Sequence, residues 1–202
     1  MNIAVFASGV GTNLQAVMDA CAAGVLEARV CAVISNKQAA GALERARAAG
    51  ISAYYVPMTG QVDDEAASLK HLEILESHKA DIILLAGYLR KIGTPVFTKY
   101  QDRVFNTHPA LLPKHGGKGM YGINVHMAVL ESGDKETGVT IHRINENYDE
   151  GAILAQTTVP VLVTDTPESL MARVQKREHV FLVETLKEII KGLDAHDCEV
   201  TP

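Results

Sequence analysis

The chain has 202 residues, of which 47% are hydrophobic and 21% charged, an ordinary globular balance with enough apolar material for one full core. A formal net charge of -5 with no stripe rich in Lys and Arg gives no support to nucleic-acid binding, and no stretch approaches the roughly eighteen uninterrupted apolar residues of a membrane span. Cys21, Cys31 and Cys198 share no CxxC spacing, and the opening MNIAVFASG lacks a basic leader, so the composition reads as a cytoplasmic protein with reduced thiols and no signal peptide.

Short β-branched runs alternate with helical patterns along the chain. Ile3–Phe6 reads as a buried strand, followed by a helix over Asn13–Ala23 with Leu14, Val17, Met18 and Cys21 on one face. Val30–Ile34 is the second strand, and Ala39–Ala49 a second helix stopped by Gly50. Ala53–Val56 follows as a short strand. Ala66–His78 has apolar residues at 69, 72 and 75 opposite a charged face, which predicts an amphipathic helix. Asp81–Leu85 is the most apolar strand and belongs at the sheet centre, and Val104–Asn106 is another strand. This order implies an α/β fold with a doubly wound, mostly parallel sheet.

Beyond residue 110 the rhythm changes. Val125–Glu131 reads as a short helix, and Gly138–Ile144 and Ile153–Val161 alternate as two strands that extend the sheet antiparallel. Pro167–Lys191 is one long helix with Pro167 at its start, capped by Thr166 or Asp165, and the tail beyond Gly192 is expected to fray. With no repeat, linker or low-complexity tract, the chain reads as one domain over 1–202.

The loop SGVGTN, Ser8–Asn13, joins the first strand to the first helix, where backbone N–H groups and the positive helix end can hold a phosphate. The dinucleotide fingerprint needs a third glycine, but residue 14 is Leu, and the second strand ends Ser35-Asn36-Lys37 without the acidic residue that grips a ribose. No GK[ST] follows, so it is not a nucleotide-triphosphate loop. A single phosphate monoester suits it; the plainer alternative is a tight turn with Thr or Asn capping a helix.

The second signal is VFNTHPALLPKHGGKGMYG from Val104. Ligands of open α/β sheets bind beyond the carboxyl ends of the strands, which is where Asn106 and His108 fall. An amide and an imidazolium are donors suited to a carbonyl oxygen that becomes an oxyanion. A carboxylate would orient the histidine and raise its pKa; Glu146, Asp149 and Glu150 in NENYDEG are the candidates, and spacing does not choose among them. His71, His78 and His196 sit among charges and read as solvated, and His142 as a satisfied, half-buried residue. His108, His115 and His126 lack the spacing of a zinc site, so no metal is expected. No nucleophile elbow is present either, so the chemistry is direct group transfer onto a bound nucleophile.

These residues carry a resemblance over nearly the full length. MNIAVFASGVGTNLQA, AVISN, DIILLAGYLRKI, VFNTHPALLPK, ETGVTIHRINENYDEGAIL and the late RVQKREH resemble the folate-dependent glycinamide ribonucleotide (phosphoribosylglycinamide) formyltransferases of purine biosynthesis. The resemblance implies a Rossmann-like formyltransferase fold, with a phosphate-binding half over 1–100 and a catalytic and folate-binding half over 101–202. It implies that Gly11, Thr12 and Asn13 hold the phosphate of glycinamide ribonucleotide and that Glu178 contacts its ribose or glycinamide end. The backbone of Leu89, Arg90, Lys91 and Ile92 would border the pterin of the co-substrate 10-formyltetrahydrofolate, with Asn106 and the Asn145–Asp149 loop on the other side. Asn106 and His108 would act on the formyl group, Asp149 would tune His108, and Thr140 would support the pair or a bound water.

Two segments depart from the pattern. HGGKGMYGINVH is longer than in many relatives, and Asp63-Asp64-Glu65 stands where the family often has an arginine near the folate tail, which leaves Arg90 or Lys91 as substitutes. The partners implied are these two small molecules, with no nucleic acid or membrane, in a monomer or homodimer. The alternatives are a formyltransferase for an amino sugar nucleotide and a non-catalytic folate- or nucleotide-binding protein.

Overall fold

The computed structural model describes residues 1–58, 64–144, 149 and 151–199, with side chains through residue 193. In chain order its elements are β1 (Asn2–Phe6), α1 (Thr12–Ala22), β2 (Arg29–Ser35), α2 (Gly41–Ala48), β3 (Ser52–Tyr55), α3 (Glu65–Ser77), β4 (Ile82–Leu85), α4 (Thr94–Lys99), β5 (Val104–His108), α5 (Ile123–Ser132), β6 (Glu136–Arg143), β7 (Ile153–Pro160) and α6 (Pro167–Glu199).

The strands form one seven-stranded sheet in the order β3-β2-β1-β4-β5-β6-β7. The first five are parallel, and β6 and β7 add on antiparallel. Strand β4, the most apolar run, is the fourth of seven, and all four of its residues are buried. Period-two alternation splits the core into two layers. Ile3, Val5, Ile82 and Leu84 pack with Leu14 and Val17 of α1, Leu43 of α2 and the long α6. Ala4, Phe6, Ile83 and Leu85 face Ile74 and Leu75 of α3 and Val96 of α4.

Three elements depart from the sequence pattern. Helix α4 has six residues with a proline in its first turn, too short for a hydrophobic period to register. Helix α6 runs through Gly192 to Glu199 where a stop at Lys191 is expected; a mid-helix glycine costs only about 1 kcal/mol, and Leu193 beyond it packs against the core. In α3 the buried face is Ala67, Ser68, His71, Ile74 and Leu75, while Leu69 is 52% exposed, so the apolar stripe is rotated from the one the sequence suggests. His71 is therefore not solvated. It is fully buried, edge-on to Phe6 and Tyr88, and burial pushes its pKa down to about 4.

Asp64 caps α3 by accepting from the Ala67 N–H at 3.1 Å. Ser169 N–H donates to Thr166 Oγ1 at 3.2 Å at the start of α6, and the Asp165 carboxylate accepts from Ser169 Oγ. Among the described residues no helix is long and apolar enough to cross a membrane.

Candidate active site

Strand β5 runs two residues further than its apolar pattern, through His108. Its pleat therefore sends Asn106 and His108 to one side and Thr107 to the other. Antiparallel pairing sets His142 of β6 opposite Asn106 and Thr140 opposite His108. Asn106 Nδ2 lies 3.0 Å from His142 Nε2 and 3.4 Å from Asp149 Oδ1. Because His142 Nδ1 faces the Arg143 carbonyl at 2.9 Å, an acceptor only, that nitrogen carries the proton in the neutral ring and Nε2 is left to accept from Asn106.

His108 is 4% exposed. Its Nδ1 lies 3.6 Å from Asp149 Oδ2, and its Nε2 is 2.8 Å from the carbonyl of His115. Burial lowers the pKa of His108; the Asp149 charge and the His115 carbonyl oppose this without overcoming it. Asp149 thus lies beside His108, but the net shift is opposite to the one predicted, because desolvation of the ring outweighs a carboxylate 3.6 Å away. Burial acts to raise the Asp149 pKa, yet His142, the His108 charge and the Gly117 N–H, 3.0 Å from Oδ2, together hold it below the usual value. Asp149 is therefore ionised beside a ring that rests neutral at pH 7.

On the opposite side of β5, Thr107 Oγ1 donates to Glu178 Oε1 at 2.7 Å. Glu178 is 7% exposed; burial raises its pKa, against hydrogen bonds from Thr107 and Asn13. Asn13 Oδ1 is buried without a hydrogen-bond partner, and Gln175 of α6 donates to Thr12 Oγ1 at 2.9 Å. Gly11, the N-cap of α1, has φ 82 and gives the helix no side-chain cap, and Gly11, Thr12 and Asn13 line the cleft. A Cβ on Gly11 would sit 2.8 Å from Ala42 Cα, so this glycine is required for packing against α2 as well as for its turn.

One cleft of about 880 Å³ joins these groups. Gly11, Thr12, Asn13, Leu89, Arg90, Lys91, Ile92, Asn106, His108, Asp149 and Glu178 all line it. Ser8 ties the rims: its N–H donates to Gly87, its hydroxyl to Asn36 Oδ1, and it accepts from the Leu89 N–H at 2.9 Å.

Some residues stand elsewhere than the sequence suggests. Thr140 lies opposite His108 in the ladder, but its hydroxyl donates to the Ala110 carbonyl and accepts from Leu112 N–H and Gln156, holding the turn after β5. His142 is satisfied, as its alternation suggests, but fully rather than half buried, at 1% exposed, and one of its partners is Asn106. Glu146 and Glu150, the competing carboxylates, lie outside the described residues. His126 of α5 also faces the cleft with Nδ1 unpartnered, and burial, then the His108 charge, lowers its pKa to about 4. Only the pairing of β5 with β6 could have singled out His142 beforehand; one-strand periodicity does not. Among the described residues, no group of three His, Cys, Asp or Glu could hold a metal ion.

Residues 1–186 match the family model described as formyl transferase. The chain is 43% identical to the chloroplastic phosphoribosylglycinamide formyltransferase of Arabidopsis thaliana over 93% of this chain and 64% of that protein. It is 37% identical to the phosphoribosylglycinamide formyltransferase of Escherichia coli strain K12, over 89% of this chain and 82% of that protein. The crystal structure of glycinamide ribonucleotide transformylase 1 from Symbiobacterium toebii superposes with a TM-score of 0.87 at 37% identity, covering 95% of this chain and 88% of that one. The chain thus spans less than two thirds of the length of the plant relative and most of the length of the bacterial ones.

Proposed function

The chain belongs to the formyl transferase family, and we propose that it transfers the formyl group of 10-formyltetrahydrofolate to the amine of glycinamide ribonucleotide in purine biosynthesis. One observation carries the reading. A single cleft has an amide, an imidazole and a carboxylate on one side of a strand end, and an uncapped helix N-terminus with a buried glutamate on the other. That layout suits a phosphorylated amine and a formyl donor held side by side, in a volume within the usual range for ligand sites.

The residues divide by the two halves of the chain. Residues 1–100 supply the phosphate cradle, with the Gly11, Thr12 and Asn13 N–H groups at the helix end, and the Leu89–Ile92 border of the pterin. Residues 101–202 supply the chemistry, and Glu178 crosses to meet the ribose or glycinamide end. The unpartnered Asn13 Oδ1 is a ready acceptor for that substrate. Arg90 or Lys91, both lining the cleft, stands in for the family's arginine at the folate tail, since the acidic Asp64 would repel it.

As the amine attacks, a new C–N bond forms and the formyl C=O becomes an alkoxide. Asn106 Nδ2–H, whose 3.4 Å contact to Asp149 is the looser of its two, turns to donate to that oxygen. Neutral His108 takes the proton released by the amine on Nδ1, and Asp149 3.6 Å away stabilises the imidazolium. The C–N bond to the folate nitrogen then breaks, and that nitrogen receives the proton. The described cleft is built from one chain, so the reading holds for a monomer or a homodimer alike. Cys21 and Cys31 are free, and burial raises the Cys31 thiol pKa to about 11, so it rests as the protonated thiol.

Calorimetric titration tests the substrate. With the formyl donor's product tetrahydrofolate present, bare glycinamide ribonucleotide should bind and an amino sugar nucleotide should not. Binding of the sugar nucleotide alone would overturn the assignment.

A further inference from the structure

We propose that His115 and Asp134 form a positioning pair that decides which ring nitrogen of His108 takes part in proton transfer. The inference deepens the function proposed above and rests on it for the reaction, though not for the geometry.

A carbonyl oxygen only accepts, so the 2.8 Å contact to the His115 carbonyl keeps a proton on His108 Nε2 whether the ring is neutral or charged. Nδ1 is then the one nitrogen that gains or loses a proton, and it is the one beside Asp149. Were the ring free to choose, the neutral form could place its proton on Nδ1, next to the carboxylate, and leave Nε2, the nitrogen turned to the His115 carbonyl, as the base.

The carbonyl holds this position only because His115 is held. Its backbone has φ 54, in the left-handed region that a residue with a Cβ rarely adopts. Its ring is fixed by Asp134 Oδ2, 2.8 Å from Nε2, and Asp134 also receives Lys114 Nζ at 2.9 Å. Asp134 follows directly on Gly133, the left-handed C-cap of α5, so the tether is anchored to a helix end. On the other side, Gly117 N–H donates to Asp149 Oδ2. Gly116 between them leaves no space for a side chain: a Cβ there would be 2.5 Å from Leu112 Cδ2 and 3.3 Å from Asp149 Cβ. Three consecutive residues, 115 to 117, therefore touch both members of the His108–Asp149 pair.

The sequence carries the signal only in part. HGG reads as a loop, and nothing in it ties His115 to a residue nineteen positions away. His115 is a positioning residue here, with no contact to the reacting atoms implied.

The test uses ¹⁵N NMR of the His108 ring in the full chain, beside steady-state rates. In Asp134→Asn and His115→Phe the neutral His108 ring should become a mixture of both tautomers, whereas the wild type shows Nε2–H alone. The kcat should fall roughly tenfold with both KM values within twofold. His115→Gln, which keeps an N–H donor for Asp134, should restore most of both. Asp134 is partly exposed, so its Asn variant should fold even where the His115→Phe loop does not. A wild-type His108 tautomer in folded Asp134→Asn overturns the proposal, whatever happens to melting temperature. The tautomer is read without substrate, so a failed substrate assignment leaves this result standing, and the reverse holds too.

Discussion

Asn106 and His142 are joined across two antiparallel strands, Nδ2 to Nε2 at 3.0 Å, and the far side of the same imidazole is fixed on the Arg143 carbonyl at 2.9 Å. This chain of contacts decides which way the Asn106 amide points. With His142 Nε2 accepting, the amide nitrogen must lie on the Asp149 side, from where its second N–H can reach a forming oxyanion.

His142→Phe keeps the ring volume and removes the acceptor. One lost neutral hydrogen bond is worth about 1–1.5 kcal/mol, so kcat should fall roughly tenfold, with little change in either KM because the amide serves the transition state. Steady-state kinetics with both substrates varied checks this. A KM effect without a kcat effect would move His142 out of the catalytic network.

Glu178 is the second case. Its carboxylate is buried, accepts from Thr107 and faces the cleft, and burial raises its pKa. A hydrogen bond from a substrate hydroxyl or amine to an ionised carboxylate is worth about 1.5–3 kcal/mol. Glu178→Gln should therefore weaken ribonucleotide binding roughly tenfold or more and leave folate binding unchanged. Because the carboxyl must be ionised to accept fully, wild-type affinity should weaken as pH falls through the raised pKa, and the Gln variant should lose that dependence. Titrations over a pH series would show both.

The glycine loop needs a different variant from the obvious one. Gly11 has φ 82 and its missing Cβ points at Ala42, so Gly11→Ala should cost about 1–3 kcal/mol of stability before any phosphate is considered. Gly9 has no atom within 4 Å of a built Cβ and an ordinary φ. Gly9→Ala should fold as the wild type, with any loss confined to ribonucleotide affinity. Equal loss of folate and ribonucleotide affinity in this variant would argue against a phosphate cradle.

The sheet and the strand-end pair were legible because each depends on one segment. The unbroken apolar runs of β1 and β4, and Asn106 and His108 two residues apart, are local facts: the runs mark buried strands, and a pleat puts the pair on a shared face. What was not legible depends on which segments meet. Asp149 was separable from Glu146 and Glu150 only by resemblance, His142 enters through the β5–β6 register, and the His115–Asp134 contact spans a whole helix. The His71 error has the same root. Leu69, Leu72 and Leu75 form a plausible apolar stripe, but the surface that α3 meets includes Phe6 and Tyr88, and the helix turns to bring Ile74 and His71 there.

That buried histidine should be visible in stability. Neither ring nitrogen of His71 has a hydrogen-bond partner, and its pKa drops from 6.5 to about 4 because burial disfavours the charged form, with Asp64 opposing. Between those values the unfolded chain binds a proton that the folded chain refuses, so this contribution is complete above pH 6.5 and is lost as pH falls towards 4. It amounts to about 3 kcal/mol. His71→Phe should remove that acid dependence and match or exceed wild-type stability at pH 7. Urea unfolding at pH 4.5 and 7 compares the two; an unchanged acid loss in the variant would assign it to other groups.

The most direct measurement follows formyl transfer from 10-formyltetrahydrofolate to glycinamide ribonucleotide, monitored by the formylated product, in the wild type, Asn106→Ala and His108→Ala. The wild type should turn over, and each variant should lose on the order of 10² in kcat with folded structure and ribonucleotide binding retained, the scale expected for one lost oxyanion donor or proton acceptor. No product from the wild type, or variants that transfer formyl at the wild-type rate, would contradict the account.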